Sequence, residues 1–315
     1  MKDKKLIIGT RGSSLALWQA NWVKEKLEKN YPEYKIDLIR IKTKGDKILD
    51  VALAKVGDKG LFVKEIEEAL IRKEVDIAVH SMKDIPTTIP QGLKIGAVCE
   101  RENPQDVFIS KDNAKLEDLP YGSTIGTSSL RRIAQLSSHY PGFKFKDLRG
   151  NLNTRFNKLA TGEYDGMILA FAGVKRLGFI NRITQLIPHE IILPAVGQGA
   201  VGIEIRQNDP VIDDIVTKTL LHVPSYITVS AERSLMKRLE GGCQIPIGAL
   251  GKIEKNNKLV LNALVASLDG KEIHRAEMEG DIKHPEALGL ALAEKLISMG
   301  ADKILKEIIT DKRGL

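Results

Sequence analysis

The chain has 315 residues, a formal net charge of +7, and ordinary hydrophobic (43 %) and charged (28 %) fractions. No apolar run approaches the roughly 20 residues that cross a bilayer, and the apolar part of the N-terminal stretch is too short for a signal peptide, so a cytoplasmic protein without a membrane partner is expected. Two cysteines without a Cys-x-x-Cys pair and six histidines without ligand spacing exclude a disulfide framework and a zinc finger and leave no metal site expected.

The length exceeds what a single core usually fills, so two or three domains are expected. Residues 5–8 read as a short apolar strand and 9–13 as a turn. Ser13 or Ser14 can cap a helix over 15–29. A strand at 35–41 follows. Residues 61–72 have helical spacing, with Phe62, Ile66, Ala69 and Leu70 on one face. The runs 75–79 and 93–98 suit buried parallel strands. The pattern then restarts, with strands at 107–109 and 124–126, a helix over 130–139 capped by Ser128 or Ser129, a strand-like 143–148 and a helix over 151–160. A strand at 166–171, a short helix at 174–178, a strand at 200–205 and a helix at 212–221 complete the alternation. From about Pro224 the style changes to a helix at 227–239, strands at 245–253, 258–267 and 271–278, and one long helix from Pro285.

This order predicts an α/β fold with parallel sheets in two halves, plus a smaller C-terminal α+β domain; two such halves flanking a cleft resemble, by fold-level analogy, periplasmic-binding-protein-like α/β domains. The boundaries expected are 1–99 with 200–220, 105–193, and 224–315. The stretch Lys42 to Gly60, rich in Lys, Asp and Gly, reads either as a lid or as an exposed loop.

The strand ends repeat one chemistry. After the first strand come Thr10, Arg11 and Ser13; after 75–79, His80, Ser81, Lys83 and Asp84; after 124–126, Thr127, Ser128, Ser129, Arg131 and Arg132. Arg149, Gly150 and, one helical turn on, Arg155 follow 143–148, and Lys175 and Arg176 follow 166–171. Hydroxyls, free helix N–H groups and arginines all bind anions, and arginine forks onto carboxylates. One arginine is an ordinary surface charge; five strand ends with the same content predict a cleft for a ligand with several separated negative groups. Aromatics at 5 % offer few stacking platforms for bases, so no nucleic-acid partner is expected. A non-catalytic receptor for a carboxylated ligand is the competing class.

Asp84 can stabilise positive charge on a ring N–H; alone it could equally be a turn residue before Pro86. Cys243, in GGCQIP at 241–246, follows two glycines that permit close approach of another group, although a lone cysteine is often just a small buried hydrophobe. Cys99, ending an apolar run, is read as buried. The string GQGAVG at 197–202 fits a dinucleotide fingerprint, but a β-prone run follows where a helix should begin, so nucleotide binding is not expected.

Taken together, GTRGSSLAL at 9–17, VHSMKDIP at 79–86, GTSSLRR at 126–132, LRGNLNTR at 148–155, LAFAGVKRLG at 169–178, PAVGQGA at 194–200 and Glu232-Arg233 through GGCQIP resemble the porphobilinogen deaminases from near the N-terminus into the last domain. The resemblance implies a transferase of tetrapyrrole biosynthesis, a hydroxymethylbilane synthase, that deaminates four porphobilinogen molecules and joins them head to tail. It implies a dipyrromethane cofactor on Cys243 through a thioether. Lys83, Asp84, Ser129, Arg131, Arg132, Gly150 and Arg155 would bind that cofactor. Arg11, Ser13, Gln19, Phe62, Ser81, Thr127, Arg149, Arg176 and Gln198 would bind substrate, and Asp84 would be catalytic. A monomer that passes its product to uroporphyrinogen-III synthase is the corresponding expectation.

Overall fold

A computed structural model describes residues 4–47, 60–239 and 245–313. Its first elements are β1 (Lys4–Thr10), α1 (Ser14–Asn30), β2 (Tyr34–Arg40), α2 (Lys44–Lys47), α3 (Lys64–Ile71), β3 (Ile77–Ser81) and β4 (Leu93–Val98). Next come β5 (Asp106–Ser110), β6 (Thr124–Gly126), α4 (Leu130–His139), β7 (Lys144–Lys146), α5 (Leu152–Ala160), β8 (Gly166–Ala170), α6 (Phe171–Arg176) and β9 (Gln185–Leu186). The last are β10 (Val201–Arg206), α7 (Pro210–Leu220), α8 (Val223–Arg238), β11 (Ile247–Ile253), β12 (Lys258–Ala266), β13 (Ile273–Asp281), α9 (Pro285–Ser298) and α10 (Ala301–Arg313). The chain divides into two units: unit 1 is Met1–Glu102 with Ala200–Val229, and unit 2 is Asn103–Gly199 with Ser230–Leu315.

Unit 1 is built on a five-stranded sheet in the order β2-β1-β3-β10-β4. β1 is parallel to β2 and β3, whereas β10 is antiparallel to both of its neighbours. Its core joins Leu6 and Ile8 of β1, Val23 and Leu27 of α1, Ile77 of β3, Ile203 of β10 and Val216 of α7. Of the two caps expected, Ser13 or Ser14, it is Ser13 that caps α1, its side chain accepting from the Ala16 N–H.

Unit 2 repeats the plan. Its five-stranded sheet runs β7-β6-β8-β5-β9, with β6 parallel to β7 and β8, and β5 antiparallel to β8 and β9. A second sheet, β11-β12-β13, is antiparallel throughout, with α9 against it.

The fold class is therefore the one expected, with two corrections. The five-stranded sheets are mixed rather than parallel. β5 and β10 open new segments after the chain changes unit, so no right-handed β-helix-β crossover dictates their direction. The C-terminal helix is two helices, because Gly300 adopts φ +112°, a left-handed backbone that ends α9.

Candidate functional site

In unit 1 one pocket gathers most of the expected residues of this half: Arg11, Ser13, Gln19, Phe62, Ser81 and Asp84 all line it. Local sequence explains how. β1 and β3 end side by side, so the turns that follow them share an edge of the sheet. Gln19, on the buried face of α1, donates to Ser81 Oγ at 3.0 Å. Met82 and Ile85 are each only 1 % exposed, and the Met82 N–H donates to the Ala200 carbonyl at 3.0 Å. The 3-10 turn Met82–Asp84 is thus pinned by its apolar neighbours, leaving Lys83 and Asp84 half-buried. Among the described residues Asp84 makes no hydrogen bond or ion pair, so its lone pairs remain for a donor in the pocket.

The arginines of unit 2 are distributed differently. Arg131 and Arg132, in the first turn of α4, converge on Asp106, the first residue of β5: Arg131 Nη2 lies 2.8 Å from Oδ2 and Arg132 Nη2 lies 2.7 Å from Oδ1. Gln198 Nε2 adds a bond to Oδ1 at 2.9 Å. Arg131 Nη1 also donates to the Leu193 carbonyl and Arg132 Nη1 to that of Ile168. Burial by itself raises the Asp106 pKa, but the two guanidiniums and the Arg132 and Gln198 bonds outweigh it and hold the carboxyl well below its usual range. One carboxylate facing two buried guanidiniums leaves a positive surplus.

Arg155 adds to that surplus. It is half-buried, donates to the Gly150 carbonyl at 2.9 Å, and has no carboxylate partner among the described residues. Burial, and next the charge of Arg132, lower its pKa to about 10. A desolvated cation facing another cation is what an anion would relieve. Gly150 sits at φ +101°, where a Cβ would lie 2.7 Å from Thr154; this tight turn lets Asn151 cap α5 and leads into Arg155. Thr127 Oγ1 accepts from the Ser129 N–H at 3.2 Å. Ser129 is the N-cap residue of α4 but makes no side-chain cap bond. Arg149 Nη2 stands 3.9 Å from Asp147, and Arg176 donates to the Gly199 carbonyl at 2.7 Å.

Cys243 lies outside the described residues, as does 48–59 of the stretch read as lid or loop. Cys99 is buried. Gly197 and Gly199 adopt φ +70° and +92° and lead into β10, so the fingerprint-like string opens a strand.

Several carboxylates have a place in the structure to which nothing in the sequence assigned a role. Glu232 of α8 is fully buried and accepts from the Gly197 and Gly251 N–H groups, each at 2.8 Å. Glu204 of β10 is fully buried 3.2 Å from His80 Nε2, and buried Glu67 of α3 feels the charge of both. Burial first, then the Glu204 charge, raise the Glu67 pKa to about 7. Asp46 pairs with Arg11. The available signal was an acid inside or at the start of an apolar strand, as in VGIEIR and DVFIS.

A family profile described as "Porphobilinogen deaminase, dipyromethane cofactor binding domain" matches residues 6–214, and one described as "Porphobilinogen deaminase, C-terminal domain" matches 226–298. The chain is 56 % identical over 308 residues to a porphobilinogen deaminase of Carboxydothermus hydrogenoformans, covering 98 % of each. It is 53 % identical over 309 residues to that of Synechococcus elongatus, covering 97 % of this chain and 96 % of the relative. Among solved structures it is similar to the second substrate binding domain of a putative amino acid ABC transporter from Streptococcus pneumoniae (TM-score 0.44, 15 % identity, 68 % of this chain and 91 % of that one).

Proposed function

We propose, for a chain that belongs to the porphobilinogen deaminase family, that Asp84 is the catalytic carboxylate and Cys243 the attachment point of the dipyrromethane cofactor. The reaction is a transferase step of tetrapyrrole biosynthesis: four porphobilinogen molecules lose ammonia, are joined head to tail, and leave by hydrolysis as hydroxymethylbilane. The observation that carries the reading is Asp84, a half-buried carboxylate with no protein partner among the described residues, in one pocket with Arg11.

The residues present fit a carboxylate-bearing cofactor, because Arg155 is a partly desolvated cation without a carboxylate of its own. When bound, dipyrromethane supplies the pyrrole carbon to which the first new ring is joined. Lys83, Arg131, Arg132, Arg155, Ser129 and Gly150 hold its acidic side chains. Arg11 receives a substrate carboxylate, with Ser13, Gln19 and Ser81 as hydrogen-bonding neighbours and Phe62 as the apolar wall. Thr127, Arg149, Arg176 and Gln198 serve substrate or the growing chain. Asp84 accepts from the substrate pyrrole N–H, which stabilises the cation left as ammonia departs and the second cation formed on joining, and it can relay the protons involved.

The same reading has the chain divided as 1–99 with 200–220, 105–193, and 224–315, working as a cytoplasmic monomer, with a thioether at Cys243 and uroporphyrinogen-III synthase taking the product. Among the described residues no helix is long and apolar enough to cross a membrane.

Intact-mass measurement tests the anchor. The purified protein should exceed its polypeptide mass by one dipyrrole unit, and Cys243→Ala should abolish the excess. Asp84→Asn should keep the excess mass and the fold while kcat falls about 10²–10³-fold. An unmodified wild-type mass would overturn the anchor, and near-normal turnover by Asp84→Asn would overturn the catalytic assignment.

A further inference from the structure

The Arg11 guanidinium is held on two sides. Asp46 Oδ1 accepts from its Nε at 3.2 Å and from its Nη2 at 2.5 Å, and the Phe62 ring lies under it with the guanidinium carbon 4.1 Å from the centroid. Asp46 is itself fixed: its Oδ2 accepts from the Thr43 N–H at 3.1 Å and from Thr43 Oγ1 at 2.8 Å. Thr43 is fully buried. Gly45, between them, packs where a Cβ would run into the Phe62 ring, so the turn carrying Asp46 and the residue stacking on Arg11 are fitted to each other. Burial tends to raise the Asp46 pKa, but the bonds from Arg11 and Thr43 outweigh it and keep the carboxyl ionised.

Arg11 has five N–H donors. Those on Nε and one on Nη2 are taken by Asp46, while among the described residues Nη1 donates to nothing. The arginine is thus locked in orientation along one edge, and it lines the pocket that contains Ser81 and Asp84.

We propose that Asp46 is a positioning residue for substrate recognition: it holds Arg11 by the Nε edge, so that the remaining guanidinium donors meet the incoming carboxylate without first being ordered. This rests on the reading of Arg11 as the group that receives a substrate carboxylate. A long flexible cation loses rotamer freedom when it clamps an anion, and prior fixation removes that cost from binding. Asp46 therefore acts through Arg11 on substrate affinity and leaves the bond-making step to Asp84.

The test is a double-mutant cycle on the cofactor-loaded enzyme, with initial rates measured against porphobilinogen. Asp46→Asn should raise KM about tenfold, the scale of losing a charged hydrogen bond, with kcat changed less than about threefold and the intact mass unchanged. Thr43→Val, which removes one bond to Asp46 and keeps its shape, should move KM in the same direction by a smaller factor and serves if Asp46→Asn folds poorly. In an Arg11→Gln background the Asp46→Asn change should have little further effect, because its means of action is gone. If Arg11→Gln raises KM but neither Asp46→Asn nor Thr43→Val does, the positioning role is overturned and the reading of Arg11 stands. An Asp46→Asn effect of equal size in both backgrounds also overturns it. If Arg11→Gln itself leaves KM unchanged, the reading of Arg11 falls and the inference with it.

Discussion

The two units bury acids in opposite electrostatic company. In unit 1 Glu204 stands 3.2 Å from His80, and buried Glu67 feels the like charge of Glu204 more than the opposite charge of His80, so its pKa rises to about 7. Unit 2 sets one carboxylate, Asp106, against the guanidiniums of Arg131 and Arg132, so positive charge is in excess and Asp106 stays ionised far into the acid range. Burial pushes both acids toward neutrality; the sign of the neighbours decides which yields. The unit with the surplus of cations is also the one that holds most of the residues read as binding a carboxylate-bearing cofactor.

The largest effect is expected at Asp106. Asp106→Asn leaves two buried guanidiniums without their counter-charge and should destabilise the protein by about 3–5 kcal/mol in urea unfolding. A loss below about 1 kcal/mol would mean the arginines repack onto carbonyls or water. The contribution of Asp106 is present above the unfolded carboxylate pKa near 3.8 and is lost as pH falls below it, because the folded value is depressed.

Glu67 has the opposite balance of charge around it. Its pKa is raised from 4.5 to about 7, so the folded state binds the extra proton, and stability is lost as pH rises from 4.5 through 7. The groups acting on it are Glu204, His80 and Glu68. Glu67→Gln should match the wild type near pH 4.5 and become the more stable protein above pH 7, by up to about 3 kcal/mol. Denaturant unfolding at several pH values measures it; parallel curves would refute the buried proton. The smallest effect lies at an exposed cap that neither acid cluster touches. Ser13→Ala removes the bond to the Ala16 N–H, for a cost of about 1 kcal/mol read as a small drop in the melting midpoint.

Much of the candidate site was legible because strand ends and turn residues are local features. Arg11 and Ser13 follow β1, Ser81 ends β3 and Asp84 lies three residues on, and the parallel pairing of those strands brings them to one pocket. The partners of these residues were not legible. Asp106 lies 26 positions from Arg132, and Asp46 lies 35 from Arg11. Nothing in a run such as DVFIS says that its acid will face two guanidiniums from another element.

Legible in the chain alone were the alternation of strands and helices, a serine cap at the start of α1, the turns that carry the polar residues and the family to which they belong. These follow from hydrophobic period, capping chemistry and backbone preference, which act over a few residues. The reversed strands β5 and β10 came from tertiary packing, as did the division between arginines paired with a buried acid and Arg155, which has no carboxylate partner among the described residues. Those outcomes depend on which distant segments share a low-dielectric interior, where charge is set by the sum of neighbours rather than by any one residue's place in the chain.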